Sequence, residues 1–245
     1  MNTDIYKLKK MISDSKSIVF FGGAGVSTES GIPDFRSAHG LYNTDSGFSY
    51  PPEVMLSHSF FITHTKEFFE YYKKKIVHRD AKPNAAHIAL YKLEQQGKLK
   101  AVVTQNIDGL HQAAGSTNVL ELHGSIYRNY CMKCGKKFDL DYVMDSKEVI
   151  PLCDECGSIV KPDVVLYEES LDMDVLNRAV QSITEADMMI VAGTSLSVYP
   201  AASMVGYYSG NKLVIINKTP TSYDTRANLL INESVGKVMA EAVDV

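Results

Sequence analysis

Thr104-Gln105-Asn106-Ile107-Asp108-Gly109-Leu110-His111 follows the apolar run Ala101-Val102-Val103. Small or branched apolar residues between Lys100 and a polar cluster read as a strand. A strand that ends in Gln, Asn, Asp and His delivers polar groups to the carboxyl edge of a sheet. That edge is where open α/β sheets place ligands. His123 follows within Glu121-Leu122-His123-Gly124, so amide, carboxylate and imidazole groups fall close together in sequence. Taken alone, the stretch also fits a polar loop whose side chains satisfy their own backbone.

Toward the N-terminus, Ile5, Leu8, Met11 and Ile12 recur at helical spacing, which predicts an amphipathic helix over 4–14. Ser17-Ile18-Val19-Phe20-Phe21 reads as a strand buried on both faces. It runs into Gly22-Gly23-Ala24-Gly25-Val26-Ser27-Thr28. Glycines there let backbone approach a ligand, and a helix start behind them would offer free N–H groups to a phosphate. As a dinucleotide fingerprint it is incomplete, because Thr28 stands where the third glycine would be. Gly31-Ile32-Pro33-Asp34-Phe35-Arg36 then breaks any helix. Residues 37–52, rich in Ser, Gly, Tyr and Pro, read as a mobile loop. Pro52 to Val77 carries an aromatic helical stripe (Phe60, Phe61, Phe68, Phe69, Tyr71, Tyr72), assigned to core. Pro83-Asn84-Ala85-Ala86-His87 opens a helix through Gln96, with Gly97 as its C-cap and His87 in a structural hydrogen bond.

Toward the C-terminus the character changes. Residues 124–160 hold Cys131-x-x-Cys134 and Cys153-x-x-Cys156 and read as a small insert. Val164-Val165-Leu166, Met188 to Gly193 and Leu213 to Asn217 read as buried strands, with helices at Leu176–Ile183 and Ala201–Tyr208 between them. Strands alternating with helices imply a parallel sheet with right-handed crossovers.

Composition bounds the rest. The 245 residues are 45% hydrophobic and 22% charged, as in ordinary globular chains, and suffice for one large domain or two unequal ones. A net charge of −4 gives no basic field for nucleic acid. No apolar run approaches the ~20 residues of a membrane span, and the N-terminus lacks the apolar core of a signal peptide. A cytoplasmic protein is expected. In a reducing compartment the paired cysteines favour a metal over disulfides. Four thiolates complete a tetrahedron, so zinc there would be structural, with no position left for water. Two redox-active pairs are the alternative. Neither pair sits at a predicted helix start, where a low-pKa thiol is expected.

A second site gathers the glycine loop, Phe35-Arg36, Gln105 to Asp108 and Gly193-Thr194-Ser195 at one sheet edge. Glycine N–H groups suit a pyrophosphate, Thr194 and Ser195 add hydroxyls, and Asn217 suits a ribose. A dinucleotide fits that inventory. Gly-Ala-Gly-Val-Ser, Gly-Ile-Pro-Asp-Phe-Arg, Thr-Gln-Asn-Ile-Asp, Leu-His-Gly, the paired Cys-x-x-Cys and Gly-Thr-Ser-Leu, in that order over residues 22–217, together resemble the sirtuin family of NAD-dependent protein lysine deacetylases, in its compact bacterial form.

The resemblance implies an α/β fold: a Rossmann-like parallel-sheet domain (1–36, 81–123 and 161–245) with a smaller module. That module combines a helical insertion (37–80) and a four-cysteine zinc-binding insertion (124–160), with NAD between the two. It implies NAD contacts at Ala24, Thr28, Phe35, Arg36, Gln105, Ile107, Asp108, His123, Thr194, Ser195, Asn217 and Val235. The nicotinamide pocket would use Ser27, Ile32, Phe35, Asn106, Ile107 and Asp108. His123 matches the catalytic base, with Asn106 and Asp108 beside it. Val165, Tyr167 and Ser197 would meet the substrate peptide, held as a strand between Val164–Tyr167 and Ser195–Tyr199. Cys131, Cys134, Cys153 and Cys156 would hold one Zn2+. In the family the acetyl oxygen attacks the ribose carbon that nicotinamide leaves. The histidine takes a proton from the ribose, and lysine, nicotinamide and 2′-O-acetyl-ADP-ribose result. Expected partners are acetylated proteins, with neither nucleic acid nor membrane, and the chain is expected to be a monomer.

Two departures stand out. Leu166-Tyr167-Glu168-Glu169 replaces the family's Phe-Gly-Glu pattern, so Tyr167 keeps the ring and Glu168 adds charge beside the peptide groove. Where family members favouring succinyl-lysine carry Tyr and Arg, the count from Pro83 falls on Phe69 and Tyr72, which offer no fork for a carboxylate. Acetyl is therefore expected over succinyl. ADP-ribosyl transfer to protein would use much the same NAD site. A non-catalytic zinc and nucleotide module conflicts with the complete Asn106, Asp108 and His123 set. A dehydrogenase conflicts with the missing third glycine.

Overall fold

A computed structural model describes residues 3–44 and 47–245. Its strands in chain order are β1 (Ile18–Gly22), β2 (Leu99–Thr104), β3 (Val119–Glu121), β4 (Gly124–Cys131), β5 (Lys137–Phe138), β6 (Val160–Val164), β7 (Met188–Ala192), β8 (Leu213–Ile216) and β9 (Leu229–Ile231). Six form one parallel sheet in the order β3-β2-β1-β7-β8-β9, and three form an antiparallel sheet, β5-β4-β6. This is a Rossmann-like sheet beside a separate small one.

The large sheet is apolar on both faces because successive side chains alternate. Ile18, Phe20, Val102, Ile190 and Val214 face one way, against the helices Thr3–Ser13, Ala85–Gln95 and Val235–Val243. Val19, Phe21, Val103, Met189 and Ile215 face the other, against Met173–Thr184 and the 3-10 turns of Ala201–Tyr207. Asn84 caps the Ala85–Gln95 helix. Its Oδ1 accepts from Ala86 N–H at 2.9 Å, and its own backbone N–H donates to His87 Nδ1 at 3.2 Å. Gly97 follows at φ +72°, a conformation that ends helices cheaply.

Four expectations need correction. Val164 to Leu166 is not a strand of the parallel sheet. Val160–Val164 pairs antiparallel with β4 in the small sheet, and a short apolar run cannot by itself tell those environments apart. Val119–Glu121 and Leu229–Ile231 were not expected as strands; each is a three-residue edge, too short to show a period. No long helix follows β1. Two 3-10 turns, Ala24–Val26 and Thr28–Ser30, stand there instead, because Gly31 and Pro33 come too soon. The stretch 52–77 is not one helix but Pro52–Met55, His58–Thr63, Thr65–Tyr71 and a wider π-type turn, Tyr72–Ile76. Its aromatics Phe60, Phe61, Phe68, Phe69, Tyr71 and Tyr72 share one core with Ile126, Val143 and Val160 of the small sheet's region.

Candidate active site

Register sets the site's position. Gly22 lies opposite both Thr104 and Ala192, Ala192 opposite Ile216, and Thr104 opposite Glu121. Gly23, Gln105, Gly193 and Asn217 therefore leave the sheet at one level, with Leu122-His123 one step further. The order reverses between β1 and β7, the crevice where such sheets bind ligands. A cleft of about 840 Å³ opens there.

Its wall includes Ala24, Ser27, Thr28, Ile32, Phe35, Arg36, Gln105, Asn106, Ile107, Asp108 and His123. Val165, Tyr167, Thr194, Ser195, Asn217 and Val235 also line it. Ser197 does not; its hydroxyl meets that of Ser195 at 2.6 Å. Phe69 and Tyr72 are not on the wall either. They are 0% and 1% exposed in the small module's core, and burial drives the Tyr72 phenol pKa far above its ordinary value. The helical stretch contributes Leu56, Lys75, Ile76 and His78 instead. Sequence reading missed these because an aromatic stripe says which face is core, not which end meets a cleft.

The loops are knit by polar contacts. Asn106 Nδ2 donates to Ser27 Oγ at 3.0 Å, and Ser27 Oγ donates to Asp108 Oδ2 at 2.6 Å. Asp108 Oδ1 accepts from Leu110 N–H at 3.0 Å. The carboxylate is thus fixed from two sides, and its orientation costs nothing further when a ligand arrives. Gln105 Nε2 donates to Thr194 Oγ1 at 3.0 Å, joining the edges of β2 and β7. His123 Nδ1 lies 3.0 Å from Gln105 O. Burial lowers the pKa of His123, and the bond to Gln105 offsets part of that.

The glycine loop fits a dinucleotide's approach. Gly25 N–H donates to Gly193 O at 2.8 Å, and a Cβ on Gly25 would stand 2.7 Å from Gly193 Cα. Any side chain would separate the two loops and fill the floor between them. Asn217 Nδ2 is held by Thr219 O at 2.8 Å, which turns its amide oxygen away from that donor bond. Arg36, Thr194 and Ser195 supply further donors on the wall.

The four cysteine Sγ atoms lie within 4.8 Å of one another. Cys131 and Cys156 are 3.4 Å apart, Cys134 and Cys153 3.7 Å. Around one zinc at ~2.3 Å from each sulfur, tetrahedral sulfurs sit ~3.8 Å apart. The set therefore fits a four-coordinate metal. Lys133 and Cys134 N–H groups point at Cys131 Sγ, at 3.4 and 3.5 Å, which favours its thiolate.

A family model described as the Sir2 family matches residues 23–200. The chain belongs to the Sir2 family. An NAD-dependent protein deacetylase of Clostridium acetobutylicum is 64% identical over 239 residues, covering 98% of each chain. A solved structure of Sir2 bound to an acetylated peptide superposes with a TM-score of 0.88 at 38% identity, over 98% of this chain and 97% of that one. Another, Sir2 with the inhibitor EX-527, 2′-O-acetyl-ADP-ribose and a deacetylated p53 peptide, gives 0.85 at 39% identity with the same coverage.

Proposed function

We propose that this chain is an NAD-dependent protein-lysine deacetylase. It takes acetylated proteins and NAD and gives deacetylated lysine, nicotinamide and 2′-O-acetyl-ADP-ribose. The observation that carries this is the Asn106–Ser27–Asp108 network facing His123 across one cleft, in a chain whose relatives share that activity along their whole length. When bound, NAD supplies the ribose carbon and hydroxyl that accept the acetyl group.

This chain's residues do the rest. Asp108, oriented by Ser27 and Leu110 N–H, accepts from the carboxamide of nicotinamide, and Asn106 and Ile107 complete that pocket. Phe35 and Ile32 exclude water. His123 takes and returns a proton at Nε2, because Gln105 O occupies its Nδ1–H. Ala24, Thr28, Arg36, Gln105, Thr194, Ser195, Asn217 and Val235 hold the dinucleotide. Val165 and Tyr167 form the acyl-lysine wall, and the peptide adds as a strand. Tyr167 N–H already donates to Leu56 O, and Tyr167 O accepts from His58 N–H, both at 3.0 Å. An added strand therefore uses its neighbours' backbone groups. The four cysteines hold zinc, which shapes the small module and activates nothing. Four thiolate ligands suit a reducing cytoplasm, where the chain acts as a monomer.

The test is nicotinamide release with and without an acetyl-lysine peptide, with products identified by mass spectrometry. Release that depends on the peptide, with O-acetyl-ADP-ribose formed, is expected. ADP-ribose left on protein would overturn the assignment.

A further inference from the structure

The hydroxyls of Tyr42 and Tyr167 meet at 2.8 Å, joining a residue of the cleft wall, Tyr167, to the separate segment whose Phe35 and Arg36 also line the cleft. Tyr42 is built into the segment that carries Phe35 and Arg36. Leu41 N–H donates to Asp34 O at 2.8 Å and Tyr42 N–H to Phe35 O at 2.9 Å. The Tyr42 ring meets Phe35 edge-on with centroids 5.5 Å apart, and the Arg36 guanidinium carbon lies 5.3 Å from its centre. Asn43 Nδ2 donates to the carbonyls of Arg36 and Ser37 at 3.0 and 2.8 Å. A displacement of Tyr42 therefore moves Phe35 and Arg36 with it.

Tyr167 is anchored separately. Its backbone is bonded to Leu56 and His58, and the residue lines the cleft. Burial, and next the bond to Tyr167, raise the Tyr42 phenol pKa far above its ordinary value, so the Tyr42 hydroxyl keeps its proton. A phenylalanine at either place would keep the ring and lose the link.

We propose that the Tyr42–Tyr167 hydroxyl pair is a latch through which the acyl-lysine wall positions the Phe35–Arg36 segment for NAD. Both are positioning residues; neither hydroxyl is assigned to the reacting atoms. The proposal rests on the deacetylase assignment above. A peptide packed on the Tyr167 ring steadies its hydroxyl, which steadies Tyr42 and so the NAD-side segment. Coupling of this kind is reciprocal, so NAD must favour the peptide by the same factor. Acting as one unit, the pair should also show non-additive loss.

The test uses the full chain with Tyr42→Phe, Tyr167→Phe and both together. The first readout needs no ligand: hydrogen exchange of the amides of residues 34–43. One hydrogen bond's net worth corresponds to about 3–10-fold. Exchange there should quicken by that factor in either single variant and no further in the double, with β1 and β2 unchanged. The second readout is the KM for NAD at low and saturating acetyl-lysine peptide. Peptide should lower it in the parent chain, and that benefit should shrink about 3–10-fold, equally in all three variants, with kcat less affected. Unchanged exchange, or effects of the two substitutions that simply add, would overturn the latch. A chain with no deacetylation at all would instead sink the assigned activity, and the exchange measurement would still judge the latch.

Discussion

His123 Nδ1 and the carbonyl oxygen of Gln105 are 3.0 Å apart. A carbonyl only accepts, so Nδ1 carries the hydrogen and Nε2 keeps its lone pair. Burial disfavours the imidazolium, and the Gln105 bond restores only part of its stability. The neutral base therefore persists below the ordinary histidine value of about 6.5. The acid limb of kcat/KM is expected to have its midpoint below that value, with activity lost as pH falls through it. A midpoint above 7 would assign the limb to another group. His123→Ala should cost about 10²–10⁴-fold in turnover with the thermal transition kept.

One zinc per chain is expected from elemental analysis of protein purified without chelator. Cys134→Ser should lose it and loosen residues 124–160 first, seen as fast hydrogen exchange there while β1 and β2 stay protected. Full metal content in that variant would remove Cys134 from the ligand set.

Glu168 stands at φ +76°, where a side chain is strained and the family pattern has glycine. Its carboxylate is fixed by Ser59 N–H at 2.9 Å and Ser59 Oγ at 2.5 Å, and those bonds lower its pKa. Alanine there would keep the strain and lose the bonds; glycine would lose the bonds and release the strain. Thermal unfolding should rank the parent and Glu168→Gly above Glu168→Ala. An alanine variant as stable as the glycine one would show that the backbone strain is negligible.

His87 and His111 are buried at 0% and 1% exposure with ring centroids 4.7 Å apart. Desolvation takes their pKa values down to about 4 and about 3. The unfolded chain takes up protons below about 6.5 while the folded one does not, so stability falls as pH drops from there toward 4. By pH 5 the two together cost on the order of 4 kcal/mol. Among the described residues neither ring nitrogen of His111 has a hydrogen-bond partner, so His111→Leu should flatten the acid limb at little cost near pH 7.5. Urea unfolding at pH 7.5 and pH 5 measures both; an unchanged slope would exonerate His111.

The central strands were legible because β1, β2, β7 and β8 are runs of apolar residues with polar or glycine residues at their ends. Val119–Glu121 and Leu229–Ile231 were not, since three residues at a sheet edge carry no period. Val164 to Leu166 misled for a related reason: branched residues fit any buried strand. The cleft residues at strand ends could be named because parallel register brings Gly23, Gln105, Gly193 and Asn217 to one level. Leu56, Ile76 and His78 could not, as their place depends on how the helical insertion folds back. Tyr42 lay in a Gly- and Ser-rich stretch with no pattern to mark it.

The strand order also sets a schedule for synthesis. β4, β5 and β6, with all four cysteines, lie between residues 124 and 164, so their contacts close short loops as soon as that stretch emerges. β1, at 18–22, emerges well ahead of β7, at 188–192, which is one of its neighbours. On a ribosome it waits for the intervening residues with an unpaired edge, an aggregation hazard for an apolar strand. Nascent chains halted before residue 188 should sediment as aggregates or bind chaperones, whereas release of the full chain should not; equal solubility of both would mean β1 finds cover before β7 arrives.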